Sequence, residues 1–220
     1  MYQYEFSELF ERIILPGLLD TIIMLLGSFV TCTLVGFTLA LVLVTTDTHG
    51  LRPNRTVHEI VSTVISMLRS VPFIILAISI IPLTRLVAGT SIGVWAAVFA
   101  ITFAGSPLIA RLLESAFKEV NPSLIEAARS FGASDRQITF RVIVTESVPA
   151  VVSQMTLGVI SLLGFTAVAG TIGAGGLGAV ALTYGYQNFN DQIMYGTVAI
   201  LVVMVIGIQL GGNALYRKLR

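Results

Sequence analysis

Five glycines, Gly170, Gly173, Gly175, Gly176 and Gly178, crowd nine residues of this chain. Such a cluster cradles phosphate when a Lys-Ser or Lys-Thr pair opens the following helix, because bare backbone N–H groups then face the anion. No such pair follows here, and the stretch GTIGAGGLGAVALTYGYQNFND contains no Lys or Arg. Nucleotide chemistry is therefore set aside. Close backbone packing remains, which glycine permits. The expectation is a tightly packed outer turn or a gate, with Gly173, Gly175, Gly176 and Gly178 as its contact points.

A second set is Gln154, Gly158, Ser161 and Phe165, spaced i, i+4, i+7, i+11 on one helical face. A polar and small stripe inside an apolar helix either packs against a neighbour or lines a path. The path is the expectation carried forward: two such stripes facing each other would leave a narrow, weakly polar passage. Covalent and acid–base chemistry are not expected. His49 and His58 are isolated, no carboxylate dyad or nucleophile–base pair is evident, and Cys32 stands alone inside an apolar run. One cysteine makes neither a disulfide within the chain nor a cysteine-built metal site.

The third set lies in NPSLIEAARSFGASDRQITFR, residues 121–141, the longest charged segment that does not itself span. Asn121 before Pro122 reads as a capped helix start; Ser123 with Glu126 offers an alternative capping box. Glu126, Ala127 and Ala128 are helix formers, and Gly132 is a natural left-handed stop. Ser134 with Gln137 makes a further capping box. Two short helices bent at Gly132 follow, the first with Leu124, Ile125, Ala128 and Phe131 along an apolar face. A DNA-reading helix–turn–helix shares this profile, but the segment has few basic residues and both ends are tied closely to apolar runs. An amphipathic helix seated in a partner's groove fits better.

The elements that position these sets are spans. The chain of 220 residues is 55% hydrophobic and 11% charged, against about 25% charged in soluble domains. Mean hydropathy is +0.89. This is an all-α polytopic membrane protein, a single domain over residues 1–220. A helix needs about 20 apolar residues to cross the hydrocarbon core. Five spans are expected, at about 18–44, 70–84, 92–110, 148–170 and 193–215, with the loop 119–141 between the third and fourth. Arg69 is placed at the edge of the second span, and Pro72 is expected to kink it. Phe6, Leu9, Phe10, Ile13 and Ile14 recur opposite Glu5, Glu8 and Glu11, predicting an amphipathic helix on the membrane surface or an extension of the first span. Three acids before the first arginine argue against a cleavable signal peptide.

Basic residues set the orientation. Arg52 and Arg55, then Arg111, Lys118, Arg129, Arg136 and Arg141, then Arg217, Lys218 and Arg220 fall on one side; Arg12 and Arg85 fall on the other. The N-terminus is placed outside, and the C-terminus and the loop 119–141 in the cytoplasm. Net charge is +1, so no global field favours nucleic acid.

Glu126-Ala127-Ala128, three residues, then Gly132 resembles the EAA motif of ABC importer permeases. The fuller pattern continues with Ile-x-Leu-Pro, where this chain has Val142-Ile143-Val144-Thr145; the departure bears on the helix after the bend. RSVPFIILAISIIPLTRLVAGTSIG (69–93) and GFTAVAGTIGAGGLGAVALTYGYQ (164–187) look like the methionine branch of that family. The resemblance implies a type I importer permease fold and a bacterial cytoplasmic (inner) membrane location. It implies that 119–141 is a coupling loop held by an ABC ATPase dimer, with Leu124, Glu126, Ala127, Ala128, Phe131 and Gly132 as contacts. It also implies a homodimeric passage, an extracytoplasmic substrate-binding lipoprotein, for which the glycine cluster is either a contact surface or the outer gate beside it, and no cofactor in this chain, since ATP and magnesium sit on the ATPase. Other amino acids or sulfur compounds are alternative substrates. A secondary transporter would want ion-coupling carboxylates near mid-membrane, whereas Asp20, Glu114, Glu146 and Asp191 are read near span ends.

Overall fold

The computed structural model describes residues 9–219, and among them every regular element is a helix. In chain order they are α1 (Phe10–Thr46), α2 (Arg55–Ser70), α3 (Phe73–Ser79), α4 (Ile81–Ala88), α5 (Val94–Lys118), α6 (Pro122–Ser130), α7 (135–146), α8 (Val148–Ala169), α9 (176–187) and α10 (Asp191–Leu219). Among the described residues four helices are long and apolar enough to cross a membrane; α2 with α3 makes a fifth if that bent pair counts as one span. The chain forms two compact units. One gathers the chain up to Cys32, Val71–Gly105 and Val159–Ile208; the other gathers Thr33–Ser70, Ser106–Gly158 and the chain from Gln209.

In the first unit, small residues let helices approach closely. Thr31 and Thr102 share a hydroxyl hydrogen bond of 2.5 Å, and the Cys32 thiol points at the Ile101 carbonyl, 3.6 Å away. A side chain at Gly105 would press on that thiol and on Leu162. Cys32 is thus a buried structural residue, as its apolar setting predicts. The expected N-terminal amphipathic helix falls partly outside the described residues. From Leu9 onward it is an extension of α1, not a surface-lying helix. Leu9 and Ile14 are buried with Leu177, Val180 and Ile193, because the apolar face finds a protein partner.

The expected span at 70–84 is broken. Helix α2 stops at Ser70, Pro72 is extended (φ −55°, ψ 137°), and α3 has only seven residues. Ile80 leaves helical geometry, and Pro82 stands in the first turn of α4. Each proline lacks the N–H that would continue the ladder, so two breaks replace one kink. Phe73 anchors α3 by stacking on Phe165, with ring centroids 4.8 Å apart.

In the second unit Gly36 lies against Ile109 and the backbone of Ala110. Phe37 meets Phe117 edge-on, with ring centroids 5.8 Å apart. Leu43, Ile65 and Ala110 form a small core beside Leu39 and Val61. Gly212 packs on Thr156, whereas side chains at Gly207 and Gly211 would meet nothing within 4 Å among the described residues.

Candidate functional site

The hairpin of α6 and α7 is built by local hydrogen bonds. The Asn121 carboxamide oxygen accepts from the Ser123 amide at 3.0 Å, so Asn121 is the cap and Ser123 is not. Pro122 takes the first position, where no donor is needed. At the other end the Gly132 amide bonds the Arg129 carbonyl and the Ala133 amide bonds the Ala128 carbonyl. That pair of bonds closes a Schellman motif with Gly132 at φ +78°, a conformation that costs any other L-residue about 1–2 kcal/mol. Two residues on, the Ser134 hydroxyl accepts from the Gln137 amide while the Gln137 side chain accepts from the Ser134 amide at 2.8 Å, the expected capping box.

The chain after the bend does not run as a plain α-helix. Residues Thr139–Ile143 widen into a π-turn. The Thr145 hydroxyl donates to the Phe140 carbonyl at 3.1 Å. A proline would supply no such donor.

Within the hairpin Glu126 and Ala127 are exposed and Ala128 is half-buried. Leu124 is 44% exposed and Phe131 is 92% exposed. The apolar face foreseen for α6 therefore has little to cover it in this chain. A cleft of about 580 Å³ opens beside α6 and the residues after α1, with Ile125, Glu126 and Arg129 on one wall and Val44, His49 and Leu51 among the others.

An ion-pair ladder fixes the base of the hairpin. Glu114, 5% exposed, takes Arg111 Nη1 at 2.8 Å and Lys118 Nζ at 2.9 Å. Lys118 also reaches Asp47 at 2.7 Å, and Arg111 donates to the Ser62 hydroxyl at 2.6 Å. The Lys118 hydrogen bond holds the Asp47 carboxyl down to about 2 from 3.8, against the opposing effect of burial; Thr48 adds a smaller push the same way.

A carboxyl depressed by folding stabilises the fold above its unfolded pKa and loses that contribution as the pH falls through the folded value. Asp47→Asn should therefore cost about 1 kcal/mol at neutral pH, modest because Lys118 is half-exposed. The gap in thermal stability from wild type should narrow below pH 3.8 and close near pH 2. A gap that widens with acid would refute the assignment.

The four residues Gln154, Gly158, Ser161 and Phe165 do not share one environment. Gln154 lines a polar cavity of about 380 Å³ with Glu119, Glu146, Ser153 and Tyr216. Gly158 is buried against Ile109 and Leu112. Ser161 is half-buried, and Phe165 stacks on Phe73. Spacing on α8 gave the face; the neighbours on it come from helices distant in sequence.

The glycine cluster is a packed turn. Gly173, Gly175 and Gly176 all have positive φ. The Gly173 carbonyl accepts from the Gly93 amide at 2.9 Å. The Thr21 hydroxyl accepts from the Leu177 amide at 2.8 Å and donates to the Gly17 carbonyl at 2.9 Å. At Gly178 a side chain would overlap the backbone of Ala167. Spacing missed Asp47, Arg52, Ser62 and Asp135, whose ion-pair or hydrogen-bond partners Lys118, Asp135, Arg111 and Arg52 lie tens of residues away and leave no periodic trace.

Comparison with known proteins places this geometry. The profile of the family described as binding-protein-dependent transport system inner membrane component matches residues 36–220. A relative from Vibrio cholerae serotype O1, named "Probable D-methionine transport system permease protein MetI", is 42% identical over 83% of this chain and 81% of its own length. One from Bacillus subtilis, named "Methionine import system permease protein MetP", is 39% identical over 76% of each chain. A solved structure of inward-facing conformations of the MetNI methionine ABC transporter superposes with a TM-score of 0.92 at 35% identity, covering 94% of this chain and 95% of that one. An amino acid ABC transporter crystallised with histidines, at 20% identity and a TM-score of 0.78, shares the fold alone. The helical architecture expected of a type I importer permease is thus the one found. This chain belongs to the binding-protein-dependent transport system inner membrane component family.

Proposed function

We propose that the chain is the permease subunit of an ATP-driven methionine importer. Two copies form the passage, and the hairpin of α6 and α7 is the part gripped by a separate ATPase that carries the ATP and magnesium. The observation that carries this reading is the hairpin. It is capped at three points, yet it leaves Leu124 and Phe131 open. A rigid element with an uncovered apolar face suits a groove in another protein. Glu126, Ala127, Ala128 and Gly132 supply the helix and its stop, and the relatives named for methionine import support the substrate. ATP closure of the ATPase pair would carry the hairpins together and rock the attached helices. Substrate would arrive on an extracytoplasmic binding protein that meets the turn at Gly173, Gly175, Gly176 and Gly178. The reading places the complex in the bacterial inner membrane, with the basic loops in the cytoplasm.

The test is uptake. The permease, its ATPase and the binding protein are reconstituted in vesicles and given radiolabelled L- or D-methionine. Accumulation should require ATP, and excess unlabelled methionine should compete more strongly than other amino acids. Uptake that ignores ATP would turn the assignment towards a secondary carrier. ATP-driven uptake competed better by another amino acid would overturn the substrate alone.

A further inference from the structure

The segment between α1 and α2, residues 47–54, has the bonding of a structural part rather than of a slack connection. The Gly50 amide bonds the Asp47 carbonyl at 2.9 Å, the Arg52 amide returns to the Thr45 carbonyl at 2.9 Å, and the Asn54 amide bonds the Thr46 carbonyl at 3.0 Å. The Asn54 side chain caps α2 by accepting from the Val57 amide at 3.1 Å. The His58 ring lies 3.1 Å from the Leu43 carbonyl. A side chain at Gly50 would strike the Val44 and Thr45 carbonyls, so the loop is folded tightly back on the end of α1. The loop therefore clamps the last turn of α1 to the first turn of α2.

The same loop holds the hairpin at two places. Asp47 takes Lys118, in the last turn of α5 immediately before the hairpin, at 2.7 Å. Arg52 Nε donates to Asp135, the first residue of α7, at 2.7 Å across 83 residues of sequence. Asp135 stands in the turn where a carboxylate also complements the helix dipole. Arg111 completes the frame by tying α5 to α2 through Ser62. One anchor lies before α6 and the other after Gly132, so α6 is bracketed.

We propose that loop 47–54 is a brace that passes displacement of the α6–α7 hairpin to α1 and α2, with Arg52 and Asp135 as positioning residues for energy coupling. The proposal rests on reading the hairpin as the ATPase contact. A hairpin held only by its own chain connections could swing about the bend at Gly132 and at its base. With both sides bonded to a rigid loop, a shift of α6 must move the loop or break the pairs. The Arg52–Asp135 pair is exposed, with side-chain accessibilities of 74% and 36%. Its contribution to stability is accordingly small, which separates a coupling role from a folding role.

The experiment uses the assembled permease–ATPase complex in vesicles with the binding protein, and measures substrate taken up per ATP hydrolysed. Arg52→Asp and Asp135→Arg should each leave assembly with the ATPase intact and lower that ratio about fivefold, the size of a typical coupling between sites. The exchange Arg52→Asp with Asp135→Arg should restore it, which a nonspecific disturbance would not do. An unchanged ratio in the single variants overturns the brace, and so does a loss that the exchange fails to rescue. Glu126→Lys serves as the reference. If it abolishes assembly while the Arg52 and Asp135 variants behave as wild type, the brace fails and the hairpin reading stands. If Glu126→Lys also assembles and transports normally, the hairpin reading fails first.

Discussion

Phe131→Ala should leave the permease folded and weaken its hold on the ATPase by about 2 kcal/mol, roughly thirtyfold in Kd, as expected for an aromatic anchor at an interface centre. The two halves of that result have one cause. Phe131 is 92% exposed, so it supports little in its own chain, and its removal leaves no cavity. It sits where the helix turns at Gly132, held by the Phe131 amide on the Ala127 carbonyl at 3.1 Å, so its position is set by backbone bonds that alanine keeps. Under the proposed function its ring is buried by the partner, and an aromatic ring carries the largest apolar area available for that purpose. Phe131→Ala and Glu126→Lys are compared with wild type by titrating ATPase against the purified permease, with thermal unfolding measured alongside. Equal affinity for the ATPase would remove Phe131 from the interface. A fallen Tm would show that the ring packs at home instead.

Gly178→Ala is expected to have the largest effect on folding, a loss of about 3 kcal/mol or more, from forcing backbone apart rather than shifting a flexible side chain. The added methyl would fall on the carbonyl group and Cα of Ala167. Nearby, a methyl at Gly170 would come within 2.5 Å of the Ala179 nitrogen. Helices α8 and α9 therefore approach through glycine on each side, and neither can retreat without loosening the turn held by Gly93 and Thr21. Gly164→Ala is the control: the same change within α8, where nothing among the described residues lies within 4 Å of the added methyl. It should be neutral or stabilising by about 0.5–1 kcal/mol, the usual helical difference between the two residues. Yield of monodisperse protein and Tm in detergent report both. A Gly178→Ala protein with wild-type Tm would mean that the two helices do not meet as described.

How the turn and the hairpin came to be legible differs. The hairpin's boundaries follow from relations of two to five residues. Asn121 reaches Ser123, Ser134 reaches Gln137, and Gly132 takes the left-handed stop that Ala128 and Arg129 complete. Such hydrogen bonds close within the segment, so residue types at short spacing suffice to foresee them. The same holds for apolar runs long enough to cross a bilayer and for the prolines that interrupt them. Among those breaks, the count between 70 and 88 differed, because Pro82 acts within a stretch whose hydropathy alone looks continuous.

Contacts between helices obey no such short-range rule. Spacing put Gln154, Gly158, Ser161 and Phe165 on one face of α8, but which neighbour meets each of them depends on helices tens of residues away. Ile109 therefore covers Gly158, and Phe73 covers Phe165. The bond from Arg52 to Asp135 spans 83 residues and has no period to betray it. The glycine cluster announced close approach through its composition, but only the folded backbone shows that Ala167 is what Gly178 approaches. The sequence by itself determined the helices, their caps, the membrane setting and the hairpin, since those depend on local hydrogen bonds and the apolar length of each segment. The tertiary structure alone decided which glycines are seams, which stripe residues are covered, and that a short loop grips the hairpin from both sides, since those depend on which faces meet.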